Sequence, residues 1–304
     1  MSKQLSTKIR KLRLLDLETV SYEELIGMVR ELVCLASGVE NIKSASTVVC
    51  SLRKGERLFR AHFKHTDERQ TLSKTPTYLK SILAPPASLV EGYQRCNAPN
   101  KPMFYAATCP ERALRECRVS KGDILFLSEW EVTADMTTTV VSAGVPDPLT
   151  SSHELLFNFF ADKFIQRVHD TFSFEYKLTA AITQVLLEIK RKDEALTGIC
   201  YPSVVSKKRG DNFAILPSFQ ALLKPVKVEK ISIVEESPSE YGWVTLESVS
   251  SFVNQRINWR SFEQKIIAPS NIPIVEQSSD DIGHYVKLAN GALYRSSIAS
   301  EHVL

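Results

Sequence analysis

The stretch from Arg95 to Glu116 constrains the fold more than any other, because a polar turn, an apolar strand and a helix follow one another directly. Pro102–Ala107 has the composition of a buried strand. Thr108 stands three residues before Glu111, which is a capping-box pattern, and Pro110 falls where a missing N–H does little harm to a helix. The sequence therefore predicts a strand that leads into a short helix, with Glu116 near its C-terminal end.

Helical and strand patterns alternate along the rest of the chain, which predicts an α+β protein. Met1–Leu17 is basic, and we expect its start to be poorly ordered. Capping boxes and helical spacing predict helices near 21–37, from Ser151 onward and over about 175–190. Short apolar runs predict strands at 57–63, 124–132, 137–141, 198–205, 212–216 and 226–234. Residues 64–92 are polar and rich in proline, so we expect a long loop there.

Composition is typical of a soluble globular protein, with 304 residues, 43% hydrophobic and 24% charged. A net charge of +3 is too small to indicate nucleic-acid or membrane binding by itself. No apolar run approaches the ~20 residues of a membrane span, and the N-terminus lacks the apolar core of a secretion signal. The six cysteines show no C-x-x-C spacing, which favours free thiols in a cytoplasmic protein over disulfides or a zinc site.

Arg95, Tyr105 and Glu116 form the strongest set of candidate functional residues. A guanidinium can grip a phosphate with two parallel hydrogen bonds, an aromatic ring can stack on a cationic base, and a carboxylate can stabilise a positively charged sugar. Each residue also has a structural interpretation. Glu116 could be an exposed helix carboxylate beside arginines, Arg95 a surface residue in a polar turn, and Tyr105 a packing residue like its neighbour Phe104.

Several motifs between Leu58 and Leu216 occur in the order and spacing of a known family, and together they resemble the RES domain. The matching pieces are Leu58-Phe59-Arg60-Ala61, Arg95-x-Asn97-x-Pro99, Phe104-Tyr105-Ala106, Ala113-Leu114-Arg115-Glu116, Tyr201-Pro202-Ser203 and Gly210-x-Asn212-Phe213-Ala214. The resemblance implies a fold similar to ADP-ribosyltransferases, with two small twisted sheets around a cleft. It also implies an enzyme that consumes NAD+ as its substrate, with no cofactor and no metal.

The resemblance implies functional roles for seven residues. Those expected to be catalytic are Glu116, Arg95 and Tyr105. Those expected to bind the substrate are Arg60, Ser203, Asn97 and Asn212. From the residues alone, a structural salt bridge and a phosphate clamp are equally good interpretations of Arg60, and Ser203 could simply stabilise a turn.

The same resemblance implies a toxin or defence effector that splits the nicotinamide–ribose bond with water or inorganic phosphate as acceptor. A protein antitoxin or immunity partner and a homodimer are then expected, without direct binding to a membrane or to nucleic acid. Two alternatives stay open: an ADP-ribosyltransferase that modifies a macromolecule, and a non-catalytic nucleotide-binding or interaction protein. We expect an N-terminal helical extension over 1–44, the RES domain over 45–235 with a helical insert at about 151–195, and a C-terminal extension over 236–304.

Overall fold

The fold is described from a computed structural model. It describes residues 2–62, 76–141, 151–166, 168, 170–190, 195–203, 212–236, 241–249, 252–257, 259–261, 266–267, 274–280, 283–288 and 293–296. The chain divides into two compact units. The first comprises Met1–Glu56, Leu83–Thr108 and Val132–Lys224, and the second comprises Arg57–Ile82, Cys109–Glu131 and Pro225–Leu304.

Helices and strands are numbered in chain order. The α-helices of the described residues are α1 (Ser2–Arg13), α2 (Tyr22–Ser37), α3 (Pro110–Glu116), α4 (Ser151–Phe164) and α5 (Lys177–Leu187). The first eight strands are β1 (Val49–Leu52), β2 (Arg57–His62), β3 (Phe104–Ala107), β4 (Ile124–Val132), β5 (Met136–Val140), β6 (Leu196–Tyr201), β7 (Asn212–Ile215) and β8 (Leu223–Glu236). The later ones are β9 (Tyr241–Val249), β10 (Phe252–Val253), β11 (Arg256–Ile257), β12 (Arg260–Ser261), β13 (Ile266–Ile267), β14 (Ile274–Asp280), β15 (Gly283–Leu288) and β16 (Leu293–Ser296).

The helices of the first unit pack into one apolar layer, in which α2 contacts α1, α4 and α5. Helix α2 begins and ends where its sequence signals predict. Ser21 and Glu24 form a complete capping box, and Gly38 ends the helix with a left-handed φ of 65°. Its apolar face, like that of α5, is buried in the shared core, so the spacing of apolar residues fixes which side of each helix faces inward.

Five strands of the first unit lie in the order β1-β5-β6-β7-β3. Strands β5 and β6 are parallel, whereas the other neighbours are antiparallel. Strands β6, β7 and β3 are almost wholly buried, and helix α5 packs against β6. This burial holds the ends of these three strands in fixed positions, where several candidate residues lie.

In the second unit the strand order is β2-β4-β8-β9-β12, with β13 also paired to β9. Helix α3 packs against β2. Strands β10 and β11 form a short hairpin, and β14, β15 and β16 form an antiparallel meander. The α+β class predicted from the sequence is therefore confirmed. The detailed ADP-ribosyltransferase-like arrangement and the three domain boundaries stay predictions.

Three local predictions are wrong. The start of the chain is helical, because Leu5, Ile9 and Leu12 recur at helical spacing and are buried in the core of the first unit. Thr108 does not cap α3: Pro110 occupies the first helical position, so the N-cap is Cys109 and Thr108 stands one residue too early.

The third concerns the chain after residue 240: the predicted strands end at 226–234, whereas described residues beyond that point form β9 to β16. The predicted loop over 64–92 is irregular from residue 76 onward, apart from 3-10 turns at Leu79–Ser81 and Ala87–Leu89. Residues 63–75 lie outside the described part of the chain.

Gly198 provides a test of the close approach between β6 and β7. A Cβ added there would overlap the carbonyl oxygen of Ala214 and would lie 2.9 Å from Ile215 Cα. Because both obstacles are backbone atoms, we expect Gly198→Ala to lower the free energy of unfolding by about 1–3 kcal/mol in urea denaturation. Gly27→Ala in α2 is the matched control, since a Cβ there meets nothing within 4 Å and should stabilise the helix by roughly 0.5–1 kcal/mol. Equal stability of the two variants would contradict this account of the strand pair.

Candidate functional site

Arg95 lies in a tight turn that the backbone closes on both sides. Gln94 N donates to Asn97 O at 2.9 Å, and Asn97 N donates to Gln94 O at 3.2 Å. Arg95 and Cys96 therefore occupy the two central positions of the turn. The turn places the guanidinium on a rigid support.

The Arg95 guanidinium binds the C-terminal end of α4. It donates to the carbonyl oxygens of Phe164, the last residue of that helix, and of Gln166, the latter at 3.4 Å from both terminal nitrogens. The cation also lies 5.2 Å from the ring centroid of Tyr176, whose hydroxyl is 3.5 Å from Nη2. Since the last carbonyls of a helix have no intrahelical partners and carry partial negative charge, Arg95 acts here as a helix cap. Its relative exposure is only 9%, so Arg95 is not a surface residue, which was its structural interpretation from the sequence.

Tyr105 holds the turn in place through its hydroxyl group. Its Oη donates to Asn97 Oδ1 at 2.6 Å and accepts from the backbone N–H of Cys96 at 3.0 Å. Phe104, its neighbour on β3, is fully buried, whereas Tyr105 is half-buried and packs against the helical core of the first unit. The two rings point to opposite faces, as strand geometry predicts.

Ser203 and Asn212 lie at neighbouring strand ends, and each has only 1% of its surface exposed. Asn212 stands between Ala107 of β3 and Tyr201 of β6 in the strand register. Ser203 follows Tyr201 by two residues, and the Tyr201 ring lies 5.8 Å from that of Phe164. Phe164 thus links the Arg95 cap to the β6 end that carries Ser203.

Arg60 and Glu116 belong to the second unit, and both lie near Cys117, the residue that follows α3. Arg60 lies on β2, opposite Ser128 of β4, and Glu116 is the last residue of α3, which packs on β2. The next residue, Cys117, donates its thiol proton to the carbonyl oxygen of Ala61 at 3.2 Å.

The charges of Arg60 and Glu116 both act on the Cys117 thiol. Burial raises the pKa of Cys117 to about 11, with Arg60 lowering it and Glu116 raising it further. Burial also lowers the pKa of His62 to about 3, and the Arg60 cation adds to that effect. The Cys117 thiol is therefore protonated and the His62 imidazole neutral at neutral pH, and neither is suited to act as nucleophile or proton donor.

The candidate residues thus form two groups. In the first unit, Arg95, Asn97 and Tyr105 share one hydrogen-bonded network, with Ser203 and Asn212 at the adjoining strand ends. In the second unit, Arg60 and Glu116 lie beside the same thiol. The meeting of these two groups around one substrate stays a prediction.

Sequence reasoning missed the residues that position these groups: Phe164, Tyr176 and Cys117. No local pattern marks Phe164 or Tyr176 as contacts of Arg95, because both lie far along the chain in the helical insert. The position of Cys117 directly after Glu116 was visible, but its burial is a tertiary effect. All six cysteines are free thiols, as predicted.

The described residues offer neither a metal site nor a membrane-spanning helix. These residues contain no group of three or more His, Cys, Asp or Glu side chains placed to hold a metal ion. Within the same part of the chain, no helix combines the length and the apolar character needed to cross a bilayer.

The Tyr105 hydroxyl can be tested by the variant Tyr105→Phe. The change removes the hydroxyl group that donates to Asn97 Oδ1. Because Asn97 is only 3% exposed, its oxygen would lose a buried hydrogen bond, and we expect the free energy of unfolding to fall by about 1–2 kcal/mol. The matched control is Tyr176→Phe, which removes only a long 3.5 Å contact and keeps the ring under Arg95, and it should cost less. Thermal and urea unfolding measure both, and a larger loss for Tyr176→Phe would refute the assignment of Tyr105 as the support of the turn.

Comparison with known proteins identifies the family. No curated protein and no solved structure shows significant similarity to the chain. A family model described as the RES domain matches residues 57–235, which is more than half of the chain. That range contains Arg60, Arg95, Tyr105, Glu116, Ser203 and the strands and helices that carry them. The chain belongs to the RES domain family.

Proposed function

We propose that this protein cleaves NAD+ between nicotinamide and ribose, with water or inorganic phosphate as the acceptor. The observation that carries the proposal is the family match over 57–235, which supports an NAD-related, toxin-like function at the level of the family. The geometry adds a carboxylate and a cation beside the same buried thiol, and a second arginine on a turn that a tyrosine hydroxyl supports.

In the proposed reaction the bond between ribose C1′ and the nicotinamide nitrogen breaks, and its electron pair leaves with neutral nicotinamide. The sugar passes through a positively charged, oxocarbenium-like state, as in glycoside hydrolysis. Water or a phosphate oxygen then bonds to C1′. With water, a proton is released to solvent and ADP-ribose is formed, whereas phosphate yields ADP-ribose 1-phosphate.

Glu116 stabilises the developing positive charge in this scheme. A fixed carboxylate in a partly dry environment acts more strongly on such a charge than one in water. Because nicotinamide leaves as a neutral molecule, the reaction needs no strong acid. The high pKa of Cys117 and the low pKa of His62 agree with this, since neither group can readily exchange a proton at neutral pH.

The arginines and Tyr105 are proposed to bind the substrate. Arg60, whose charge acts on the same Cys117 thiol as that of Glu116, takes a phosphate group. Arg95 reaches pyrophosphate by exchanging its two 3.4 Å bonds to Gln166 O for phosphate oxygens, while Phe164 O keeps its contact. Tyr105 presents its ring to nicotinamide, and Asn97, Ser203 and Asn212 supply polar groups to the rest of the dinucleotide.

NAD+ depletion would arrest a cell, so the protein is proposed to act as a toxin or defence effector in the cytoplasm. A protein antitoxin or immunity partner would then restrain it, and a homodimer is its proposed assembly.

Glu116→Gln tests the chemistry. We expect turnover to fall by about 10²–10³-fold with little change in stability, because the variant loses the charge but keeps the shape. Glu111→Gln in the first turn of the same helix is the control and should turn over like the wild type. NAD+ is supplied with and without phosphate, and products are identified by mass. Intact NAD+ with the wild-type protein would overturn the activity, and label transferred to a macromolecule would indicate an ADP-ribosyltransferase instead.

Arg95→Lys separates substrate binding from helix capping. Lysine keeps the charge but cannot make paired bonds to phosphate, so we expect KM for NAD+ to rise about tenfold or more, with a smaller change in kcat. The lost cap on α4 should also lower the melting temperature. Kinetics per folded molecule and thermal unfolding are measured together. A lower melting temperature with an unchanged KM would assign Arg95 to capping alone.

A further inference from the structure

A cavity of about 370 Å³ lies in the first unit, and the proposed reaction assigns no role to its apolar part. Its walls come from the first residue of α2, from α5, from residues of the segment 96–103 and from Leu216 and Pro217. The volume falls within the roughly 300–1,000 Å³ typical of small-molecule sites. Arg95 and Tyr105 do not line the cavity, whereas their neighbours in the network, Cys96 and Asn97, do, so the cavity adjoins the candidate dinucleotide site.

The body of the cavity is apolar. Met103, Ala180, Leu187 and Leu216 lie along its walls, together with Pro102. An apolar ligand group that replaces water here gains about 25 cal/mol for each Å² that it buries. The walls are also firmly placed, because Ala180 and Met103 belong to the buried core.

The polar groups of the cavity are mainly hydrogen-bond donors. Lys101 Nζ donates to Gln184 Oε1 at 2.6 Å, and Tyr22 Oη donates to the same oxygen at 3.2 Å. The Gln184 oxygen is therefore occupied, and its amide nitrogen donates to no acceptor among the described residues. An ammonium group offers three donors, and Lys101 uses one of them there.

The charges around the cavity leave a positive excess. Glu188 also lines it, but that carboxylate accepts three hydrogen bonds of 2.9 to 3.1 Å from Arg30. Burial and nearby negative groups raise the pKa of Tyr22, so its hydroxyl stays protonated. Lys101 is exposed and has no acidic partner among the described residues, and it is the cation that a bound anion would meet.

We propose that this cavity binds a small amphipathic carboxylic acid as its anion. The apolar body lies between the α5 wall and Met103, and the carboxylate accepts hydrogen bonds from Lys101 and from the Gln184 amide. Charge-assisted bonds of this kind are about twice as strong as neutral ones, which favours the anion over a neutral analogue. The claim concerns binding only, so it does not depend on NAD+ cleavage.

Octanoate is a suitable probe, with octanamide as its neutral analogue of equal length. Isothermal titration calorimetry of the full chain, below the micelle concentration, should show octanoate binding about tenfold or more tightly than octanamide. Absence of measurable octanoate binding would overturn the proposal, as would equal affinity for the two compounds.

Two variants locate the binding. Lys101→Met should weaken octanoate binding about tenfold or more, and Lys11→Met, an exposed lysine on α1 that does not line the cavity, should leave it unchanged. Ala180→Phe should block the cavity and abolish binding, with circular dichroism used to check its fold. If Ala180→Phe fails to fold, Lys101→Met alone tests the location of the bound octanoate, because Lys101 is exposed and its replacement should not affect folding. Unchanged affinity in Lys101→Met would place the bound octanoate elsewhere and reject this site.

Discussion

The contact between Arg95 and the C-terminal end of α4 is the interaction on which the rest of the first unit's candidate site depends. The last carbonyls of a helix carry partial negative charge and have no partners within the helix. Arg95 supplies a cation and several N–H groups to them, from a turn that Tyr105 and Asn97 hold from the other side. Helix, turn and strand β3 are thereby fixed to one another. A substrate phosphate near this arginine would have to compete with carbonyl oxygens already in place.

Arg95 caps α4 and is also proposed to bind a substrate phosphate, and these two roles do not exclude each other. The contacts with Gln166 O are 3.4 Å long and cost little to exchange. An anion with full charge is a better partner for a guanidinium than a carbonyl dipole. In the proposed function, a dinucleotide phosphate replaces the weak contacts of this preorganised cation with Gln166 O.

The environment of Glu116 limits the chemistry open to the second unit. Burial suppresses the ionisation of Cys117 and of His62, the two neighbours that could otherwise act as nucleophile or acid. In the proposed reaction the Glu116 carboxylate, at the end of α3, stabilises charge without forming a bond. This agrees with a reaction whose leaving group departs without needing a proton.

Some local predictions succeeded because their causes are local. The capping box at Ser21, the stop at Gly38 and the apolar stripe of α5 appear where the sequence placed them. Prediction failed where burial decided the outcome. Helix α1 looked like a basic, irregular tail, yet its three apolar residues are buried in the core. The strands after residue 240 gain their order from pairing with neighbouring strands, which the spacing of apolar residues within one segment does not reveal.

The sequence by itself determined the α+β class, the family and the identity of the candidate residues, because motif order, capping and hydrophobic spacing are properties of neighbouring residues. Only the tertiary structure decided what those residues touch. In the folded chain, Arg95 binds a helix end, Tyr105 supports a turn, and Glu116 lies near a buried thiol. The physical reason is that hydrogen bonds and desolvation depend on which distant segments pack together, and no single stretch of the sequence determines that packing.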